Sequence, residues 1–453
     1  MLFWLILGLI VGETALVAET FIKERVLPAP HSKYGMKSPV DFDIDAQGTI
    51  YYIERAGLLG RLRRGEKEST TIGKFDTFVG YEEGLLAVSL QTVETIQKLF
   101  LFRSLPETFQ NEQGQRAGKI RVSHFTLTEA GIDLNSEQIV IEIEVQREEC
   151  CHSGGGMAFD PEGHLFIGTG DNTSPFYSDG YSPLTERIRS RDAQATSANS
   201  NSLLGKILRI KPKLTGGYTV PEGNLYGAAM QKSRPEIYIS GVRNPYRLSI
   251  DPVNKDIYWG DPGPDAKRAS TRGPRGGDEI NRATGPGFFG WPYYLGTNEA
   301  YRVETPLSNT SSNNTGVSNL PNPQGSLLFY SNEPHPTYPV LGNGGGCTAM
   351  TGPIYIFNIA ANESNGLPEK YDRHLFFYDW SRNWICLLRL NKDGGPLTDP
   401  DGQLEIIRFA PELRFKRPIK LMIGPDFCLY VLEYGSSWGV SADSALTRVK
   451  YIQ

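Results

Sequence analysis

The sequence predicts an all-β protein, a six-bladed β-propeller of four-stranded antiparallel blades, and three observations predict it. The 453 residues include 49 Gly, 30 Pro, 22 Tyr and 21 Phe, as many short strands and tight turns require. A hairpin phrase recurs along the chain. Dividing roughly 430 mature residues by a blade of about 70 gives six blades, within the usual four to eight. A pair of β-sandwiches with similar turns is the alternative.

The recurring phrase is a short apolar strand, a turn with Asp or Pro and Gly, and a second apolar strand. It spans residues 42–52, 157–167, 248–259 and 421–431. Strand pairs near 84–101 and 353–380 supply the remaining blades, and a last strand at 445–451 helps to close the ring. No linker interrupts this rhythm, so residues 19–453 are predicted to form a single propeller domain.

The N-terminal segment predicts export. An apolar run of about ten residues, Leu2 to Val11, precedes Glu13, which suits a signal peptide and is short for a membrane span of about 20 residues. Cleavage after Ala18 gives a signal peptide of residues 1–18 and a secreted or periplasmic protein. No Lys or Arg precedes the run, so an uncleaved N-terminal anchor is the alternative, and no other membrane span is predicted.

Residues 297–324 are predicted to form a polar insertion. The segment is rich in Asn and Ser, from Ser308 to Asn314, and too polar for a strand. A solvated surface loop is the simplest interpretation, and a loop that covers a ligand in the central channel is the alternative.

The charge balance limits the partners. The net charge is −5 and the chain has no block of Lys or Arg, whereas nucleic acid and anionic membranes need a basic face. We therefore expect a neutral small molecule as the ligand and no nucleic-acid partner.

The cysteines and histidines give no pattern for a zinc site. The five cysteines are too scattered for a disulfide framework, although isolated bridges stay open, and no two histidines have metal-ligand spacing. A metal must then be held by oxygen. The segment Gly260 to Asp265 has Pro and Gly that turn carbonyls outward, as Ca²⁺ prefers; a turn without an ion is the alternative.

His152 is the strongest candidate for chemistry. It precedes a glycine cluster and a hairpin, which puts an imidazole at the mouth of a strand, where it can act as a general base. A buried structural histidine is the alternative. Arg243 and Asn244 follow another strand and can bind a carboxylate, although such a pattern by itself is more often an ordinary surface salt bridge than a binding site.

Taken together, these residues resemble the glucose/sorbosone dehydrogenase family of soluble quinoproteins, which oxidise sugars with pyrroloquinoline quinone (PQQ). The matching phrases follow the family's order: Glu83-Gly84-Leu85-Leu86, His152 with its glycines and Gly168-Thr169-Gly170-Asp171, Gly241 to Pro245, Asp278 to Asn281 with Phe289 to Pro292, and Arg417-Pro418 with Gly424 to Asp426. The resemblance implies a six-bladed propeller that holds PQQ, partly through Ca²⁺, at the top of the channel.

The resemblance also implies roles for single residues. His152 is the general base, and Asp171 is the carboxylate that orients it. The remaining roles are Glu82 and Arg243 against the sugar, Arg243, Asn244, Arg382 and Arg417 against the cofactor, the backbone carbonyls of Gly263 and Pro264 as Ca²⁺ ligands, and Glu279 at a second, structural Ca²⁺.

Two positions depart from the family pattern. Ser381 stands where the best-known members have a lysine, which leaves Arg382 as the nearest cation, and Ile419 replaces a second arginine. Each lost charged hydrogen bond weakens the binding of a tricarboxylate by about 1–3 kcal/mol. The expected function is PQQ-dependent oxidation of the anomeric hydroxyl of an aldose or related polyol, with electrons passed to an external acceptor. The alternative is a propeller without cofactor that serves as a carbohydrate- or protein-binding scaffold.

Overall fold

The computed structural model describes residues 20–28, 36–93, 96–301 and 307–452. The predicted signal peptide, residues 1–18, lies outside this range. Six small sheets account for nearly all the regular structure, which confirms the predicted six-bladed β-propeller.

The blades follow one another along the chain, and each begins with its inner strand. The first blade comprises Pro39–Ile44, Ile50–Glu54, Leu58–Leu62 and Thr70–Lys74; the second Leu85–Val93, Ile96–Ser104, Arg116–Thr128 and Gly131–Gln146, with Phe109–Gln110; the third Gly156–Phe159, Leu165–Thr169, Lys206–Pro212 and Ile237–Ser240, with Tyr218–Thr219 and Gly287–Phe288. The fourth comprises Leu248–Ile250, Ile257–Asp261, Asp278–Ala283 and Leu328–Tyr330; the fifth Ala349–Tyr355, His374–Asp379, Trp384–Arg389 and Ile406–Arg408; the sixth Pro418–Ile423, Leu429–Glu433, Ala445–Ile452 and Thr20–Leu27.

The remaining elements are short. A hairpin of Tyr294–Leu295 and Glu299–Ala300 stands apart from the blades, and five 3₁₀ helices occur in the described residues: Arg189–Arg191, Ala193–Ala195, Pro339–Leu341, Ile359–Asn362 and Glu369–Tyr371. No described helix has the length and apolar character needed to cross a membrane. The second and third blades exceed four strands, and the third includes a parallel pair, so these blades differ from the expected four-stranded pattern.

The predicted hairpin turns explain the first two strands of the blades. In the first blade, Asp45 Oδ1 accepts the backbone N–H groups of Gln47 and Thr49 at 3.0 and 2.8 Å, and Gly48 adopts φ +84°, which L side chains rarely adopt. Asp160 and Gly163 repeat the arrangement in the third blade. The turns therefore fix the register of these hairpins.

The ring closes between the first and last strands of the described chain. Thr20–Leu27 pairs antiparallel with Ala445–Ile452, so the sixth blade is assembled from both ends of the domain. The inner strand of each blade contacts the inner strand of the next, and the sixth contacts the first. Side chains tie these strands together: Asp41 Oδ2 accepts the N–H of Val88 at 3.0 Å, and Asp43 Oδ2 that of Leu90 at 2.7 Å.

Aromatic side chains fill the spaces between neighbouring blades, which explains their abundance. Tilted and edge-to-face pairs of this kind are favourable arrangements. Examples of ring pairs across blade interfaces are Phe75–Phe125, Phe100–Phe159, Tyr330–Trp384 and Phe21–Phe409, with centroids 4.9–5.9 Å apart.

Arg247 lies across the axis of the ring. Its buried guanidinium, carried by the fourth blade, donates to the carbonyl oxygens of Val40 in the first blade and Ile419 in the sixth. It lies 3.9 Å from the carboxylate of Asp41. A buried charge therefore links the inner strands of the first, fourth and sixth blades.

Candidate active site

A repeated contact fixes the loops at one end of the propeller. At the end of its second strand, a blade carries an acceptor side chain that binds the loop leading into its own inner strand. In five blades a backbone N–H of the loop donates to this side chain at 2.6–3.3 Å. The donor and acceptor pairs are Lys37 and Glu54, Gly84 and Ser104, Asn244 and Asp261, Thr348 and Asp379, and Lys416 and Glu433. In the third blade the acceptor is Asp171, and its partner is the imidazole of His152. In the third blade the imidazole of His152 thus takes the place that a backbone N–H group has in the other blades.

The carboxylate of Asp171 fixes the tautomer of His152. Asp171 is fully buried, and its Oδ1 lies 2.7 Å from His152 Nδ1. An ionised carboxylate only accepts hydrogen bonds, so Nδ1 carries the proton and the lone pair is on Nε2. Asp171 also accepts the backbone N–H of Thr173 at 3.0 Å and the indole N–H of Trp291 at 2.8 Å. Three donors therefore hold the carboxylate in place.

The backbone of His152 is held as closely as its ring. Its N–H donates to Glu82 Oε2 at 2.7 Å, and its φ is +57°. Its carbonyl passes so close to Gly170 that a Cβ there would lie 1.9 Å from the oxygen. The Gly168-Thr169-Gly170-Asp171 phrase therefore has a steric role, since only glycine at 170 leaves room for the histidine loop.

A pocket of about 370 Å³ opens at this end of the channel, within the usual range for small-molecule sites. Its inner part is apolar, because the second residue of four inner strands lines it: Val40, Leu86, Met350 and Ile419. Its wall is polar and contains His152, Glu82, Arg55, Arg243, Asn244 and Gly263. Residues from loops of different blades therefore share one cavity.

Asp261 presents the Arg243-Asn244 loop to this pocket. Its two carboxylate oxygens accept the backbone N–H groups of Arg243 and Asn244 at 2.9 and 2.6 Å. Burial raises the pKa of Asp261 to about 6. The Arg243 guanidinium donates to Pro262 O at 2.7 Å, and its other N–H groups have no hydrogen-bond acceptor within the described residues. Asn244 Oδ1 accepts the N–H of Gly154 at 2.9 Å, which ties this loop to the histidine loop.

Gly263 and Pro264 lie beside His152 and Arg243. Gly263 lines the pocket, and Pro264 lines a small adjoining hollow together with His152 and Arg243. The N–H of Gly263 donates to Asp278 Oδ1 at 3.1 Å. The carbonyl oxygens of Gly263 and Pro264 accept no hydrogen bond from the part of the chain that the structure describes. The Gly263 oxygen is therefore the better placed ligand for a hard cation, because the Pro264 oxygen packs against Gly276, where an added Cβ would lie 1.8 Å from it.

Four of the predicted site residues line neither the pocket nor the adjoining hollow: the fully buried Asp171, Arg382, Arg417 and Glu279. Arg382 donates to Gly346 O at 2.9 Å and contacts Cys347 Sγ at 3.1 Å. Arg417 packs its guanidinium 4.5 Å from the ring centroid of Trp380, which lines the pocket. The oxygens of Glu279 accept from Gly296 N at 2.6 Å and Asn281 Nδ2 at 3.0 Å, and burial raises the pKa of this carboxyl to about 8. Arg382 and Arg417 thus support loops around the pocket.

The sequence reasoning missed Arg55. It lines the pocket, with its Nε donating to Glu83 O at 2.9 Å and one terminal nitrogen donating to Val79 O at 2.9 Å. Within the described residues, Arg55 and Arg243 are the guanidinium groups in the lining. Its position could have indicated this role, because Arg55 directly follows the second strand of the first blade, Ile50–Glu54.

A disulfide lies next to the histidine. Cys150 and Cys151 are bonded to each other, and Cys151 lines the pocket. The other described cysteines, Cys347, Cys386 and Cys428, are free thiols. The sequence had left isolated bridges open, and the bridge that forms joins the adjacent pair.

Comparisons with known proteins agree with this architecture. The sequence model described as "Glucose / Sorbosone dehydrogenase" matches residues 36–319. The HIPL2 protein of Arabidopsis thaliana is 28% identical over 260 residues, which are 54% of this chain and 31% of that protein, so the chain spans about a third of its length. The aldose sugar dehydrogenase YliI of Escherichia coli is 28% identical over 141 residues, 31% of this chain and 29% of that one. The crystal structure of the soluble aldose sugar dehydrogenase from Escherichia coli in the apo-form has a TM-score of 0.61 at 19% identity, with 95% of this chain and 99% of that chain covered.

Proposed function

Because the chain belongs to the glucose/sorbosone dehydrogenase family, we propose that it is an oxidoreductase that oxidises the anomeric hydroxyl of an aldose or related polyol. The observation that carries the proposal is that His152, which lines a pocket shared with Arg243 and Gly263, lies 2.7 Å from the buried Asp171 carboxylate behind it. The His152 ring makes no other hydrogen bond within the described residues, so Nε2 is free to accept a proton from a bound hydroxyl.

The residues present fit PQQ and Ca²⁺, and we propose both as cofactors. Arg55 and Arg243 offer cationic donors to a polycarboxylate, and Asn244 adds an amide. The proposed Ca²⁺ ligands are the carbonyl oxygens of Gly263 and Pro264, which accept no hydrogen bond from the described residues. Binding through Pro264 requires its oxygen to leave its contact with Gly276. A bound quinone would supply a two-electron acceptor for the hydride of the sugar carbon, and a bound Ca²⁺ would add Lewis-acid polarisation. An external acceptor is proposed to take the electrons.

His152 and Asp171 perform the proton chemistry. Nε2 takes the proton of the anomeric hydroxyl, which makes the imidazole a cation. The buried Asp171 carboxylate, already bonded to Nδ1, stabilises that cation without moving. A positioned general base of this kind contributes typically about 10²–10⁴-fold in rate. The pair therefore accounts for the acid–base half of the reaction.

Glu82 and Arg243 are proposed to bind the sugar. Glu82 lines the pocket. Its Oε2 accepts the N–H of His152 at 2.7 Å, whereas its Oε1 has no donor within the described residues. A sugar hydroxyl beside His152 can donate to this oxygen. Glu82 then orients the substrate and the histidine loop together.

The test is reconstitution with PQQ and Ca²⁺, followed by dye reduction across a panel of aldoses and polyols. Wild-type protein is expected to turn over at least one sugar. His152→Ala is expected to keep the absorption band of bound quinone and to lose turnover by at least about 100-fold. Quinone binding without turnover on any sugar would contradict the proposal.

A second candidate is a propeller without cofactor that binds carbohydrate or protein. The favouring observation is that Ile419 adds an apolar side chain to the pocket, while Arg382 and Arg417 lie outside its lining. Titration with PQQ in the presence of Ca²⁺ separates the candidates, since saturable binding is expected only of the enzyme.

We also propose export to a secreted or periplasmic location, on the strength of the apolar run Leu2 to Val11. Expression of the full chain followed by N-terminal sequencing of the exported protein is expected to show cleavage after Ala18. An intact N-terminus on the exported protein would favour the anchor.

A further inference from the structure

Three exposed aromatic side chains surround the mouth of the pocket. Tyr81 is 43% exposed, and Phe176 and Trp438 are each 71% exposed. All three line the same pocket as His152 and Arg243. Clustered exposure of large apolar side chains marks interaction sites, whereas scattered single residues need no explanation.

The rings come from separate sectors of the propeller. Phe176 follows the second strand of the third blade, and Trp438 lies between the second and third strands of the sixth blade. Because the third and sixth blades are opposite each other in a ring of six, these two side chains approach the mouth from opposite sides. Tyr81 enters between the first and second blades. The aromatic rim, Tyr81, Phe176 and Trp438, therefore borders a concave opening.

Trp438 is supported from behind. Its ring packs edge-to-face on Trp380 with centroids 5.5 Å apart, and Tyr434 lies at 6.2 Å. The backbone N–H of Gly439 donates to the Tyr434 hydroxyl at 3.0 Å, and Arg417 stacks on Trp380 at 4.5 Å. The exposed indole is thus held by its neighbours and loses little conformational freedom when a ligand packs against it.

The arrangement of polar wall and aromatic rim matches the two kinds of surface on a sugar. A pyranose presents hydroxyls at its edge and C–H groups on its faces, and the C–H faces pack on aromatic rings. Glu82, Arg243 and Asn244 in the wall suit the hydroxyls of the unit that reacts. The rim side chains are 43–71% exposed, whereas His152 and Arg243 are 5% and 7% exposed, so the aromatic rim is the part of the pocket nearer to solvent.

We propose that the aromatic rim binds the second and later units of a linear oligosaccharide whose reducing end enters the pocket. This inference rests on the proposed function, because it assigns the substrate class of the same site. Rings on opposite sides of a mouth suit a narrow chain that passes between them. A protein partner would instead need a specific interface of about 1,000 Å² or more.

The first experiment compares substrates of increasing length. Quinone-loaded wild type, Trp438→Ala and Phe176→Ala are assayed with a monosaccharide, a disaccharide and a trisaccharide of one series. The ratio of kcat/KM for trisaccharide over monosaccharide is expected to fall about three- to tenfold in each variant, with Trp438→Phe restoring part of it. Ile359→Ala, at a residue 72% exposed and outside the pocket lining, is the matched control and keeps the wild-type ratio.

The second experiment measures binding without turnover. Oligosaccharide alditols, which have no anomeric hydroxyl at the reduced end, are titrated into quinone-free protein by calorimetry. Binding that weakens at least threefold in Trp438→Ala supports the rim. If such binding occurs while no sugar is oxidised, the aromatic rim is a sugar-binding site and the proposed oxidoreductase function is wrong.

Two outcomes would overturn the inference. Oxidation of monosaccharides with no gain from chain length would leave the proposed function intact and remove the rim. A change in Trp438→Ala that depends on the electron acceptor, and not on sugar length, would make the rim a docking surface for the acceptor.

Discussion

Replacement of Asp171 by Asn tests the histidine pair with the smallest change of shape. The carboxylate accepts from His152 Nδ1, the Thr173 N–H and the Trp291 indole N–H. An amide has one acceptor oxygen and one donor nitrogen, so it cannot satisfy all three. If the amide oxygen faces His152, its NH₂ group opposes the indole N–H. If the amide is turned, its NH₂ group faces Nδ1, and the imidazole proton moves to Nε2.

The magnitude follows from these contacts. Loss of a charge-assisted hydrogen bond removes about 1.5–3 kcal/mol of imidazolium stabilisation, which corresponds to about 10- to 150-fold in rate at about 1.4 kcal/mol per factor of ten. The turned amide also removes the lone pair from Nε2 and abolishes the base, whose full contribution is about 10²–10⁴. We therefore expect kcat of Asp171→Asn to fall by at least about tenfold, and by more if the tautomer changes.

The assay combines stopped-flow reduction of the bound quinone with ¹⁵N NMR of the histidine rings, which distinguishes the two tautomers. Asp160→Asn is the matched control, because Asp160 Oδ2 lies 2.7 Å from His164 Nδ1 in the outer turn of the same hairpin. The control is expected to keep the wild-type rate. A rate within twofold of wild type in Asp171→Asn, with quinone bound, would refute the reasoning.

Three further predictions concern the scaffold of the site. Glu83→Gln leaves the buried Arg147 guanidinium, now 2.8 Å from Glu83 Oε2, without its counter-charge, and we expect a loss of about 3–5 kcal/mol of unfolding free energy in urea titrations. Arg247→Met removes the hydrogen-bond donors of the Val40 and Ile419 carbonyl oxygens. It is expected to lower the free energy of unfolding by at least about 2 kcal/mol in the same urea titrations. An unchanged midpoint of urea unfolding would contradict the role of the axial guanidinium. Burial raises the pKa of Asp43 to about 6 from 3.8, so the stability from its protonated form is present below pH 3.8 and is lost as the pH rises through 6. Relative to Asp43→Asn, wild type is therefore expected to lose up to about 1.4 kcal/mol per pH unit across that window, and parallel curves for the two proteins would count against it.

The fold was predictable because its signals are local. The turns at Asp45 to Gly48 and at Asp160 to Gly163 set strand register through their own hydrogen bonds. The recurrence of such turns in the sequence therefore predicts the blades. The pairing of Thr20–Leu27 with Ala445–Ile452 was not predicted, because the sequence of an outer strand does not indicate which distant strand it pairs with.

Parts of the site were predictable for a similar reason. His152 and Asp171 flank one hairpin, Gly156–Phe159 with Leu165–Thr169, and the register of that hairpin brings its ends together. The place of Arg55 in the pocket and the aromatic rim depend on how separate blades converge, which spacing along the chain does not encode. The polar insertion also differs in part from the expected solvated loop: Asn309 is buried and donates to Gln194 O and Ala198 O at 2.9 and 3.1 Å.

Single-turnover mixing tests the central claim most directly. Wild-type and His152→Gln proteins are loaded with PQQ and Ca²⁺, the bound quinone is verified by its absorption band, and each is mixed with a saturating aldose. We predict rapid loss of the oxidised band in wild type and a rate at least about 100-fold slower in the variant. Equal rates in the two proteins would contradict the assignment of His152 as the base.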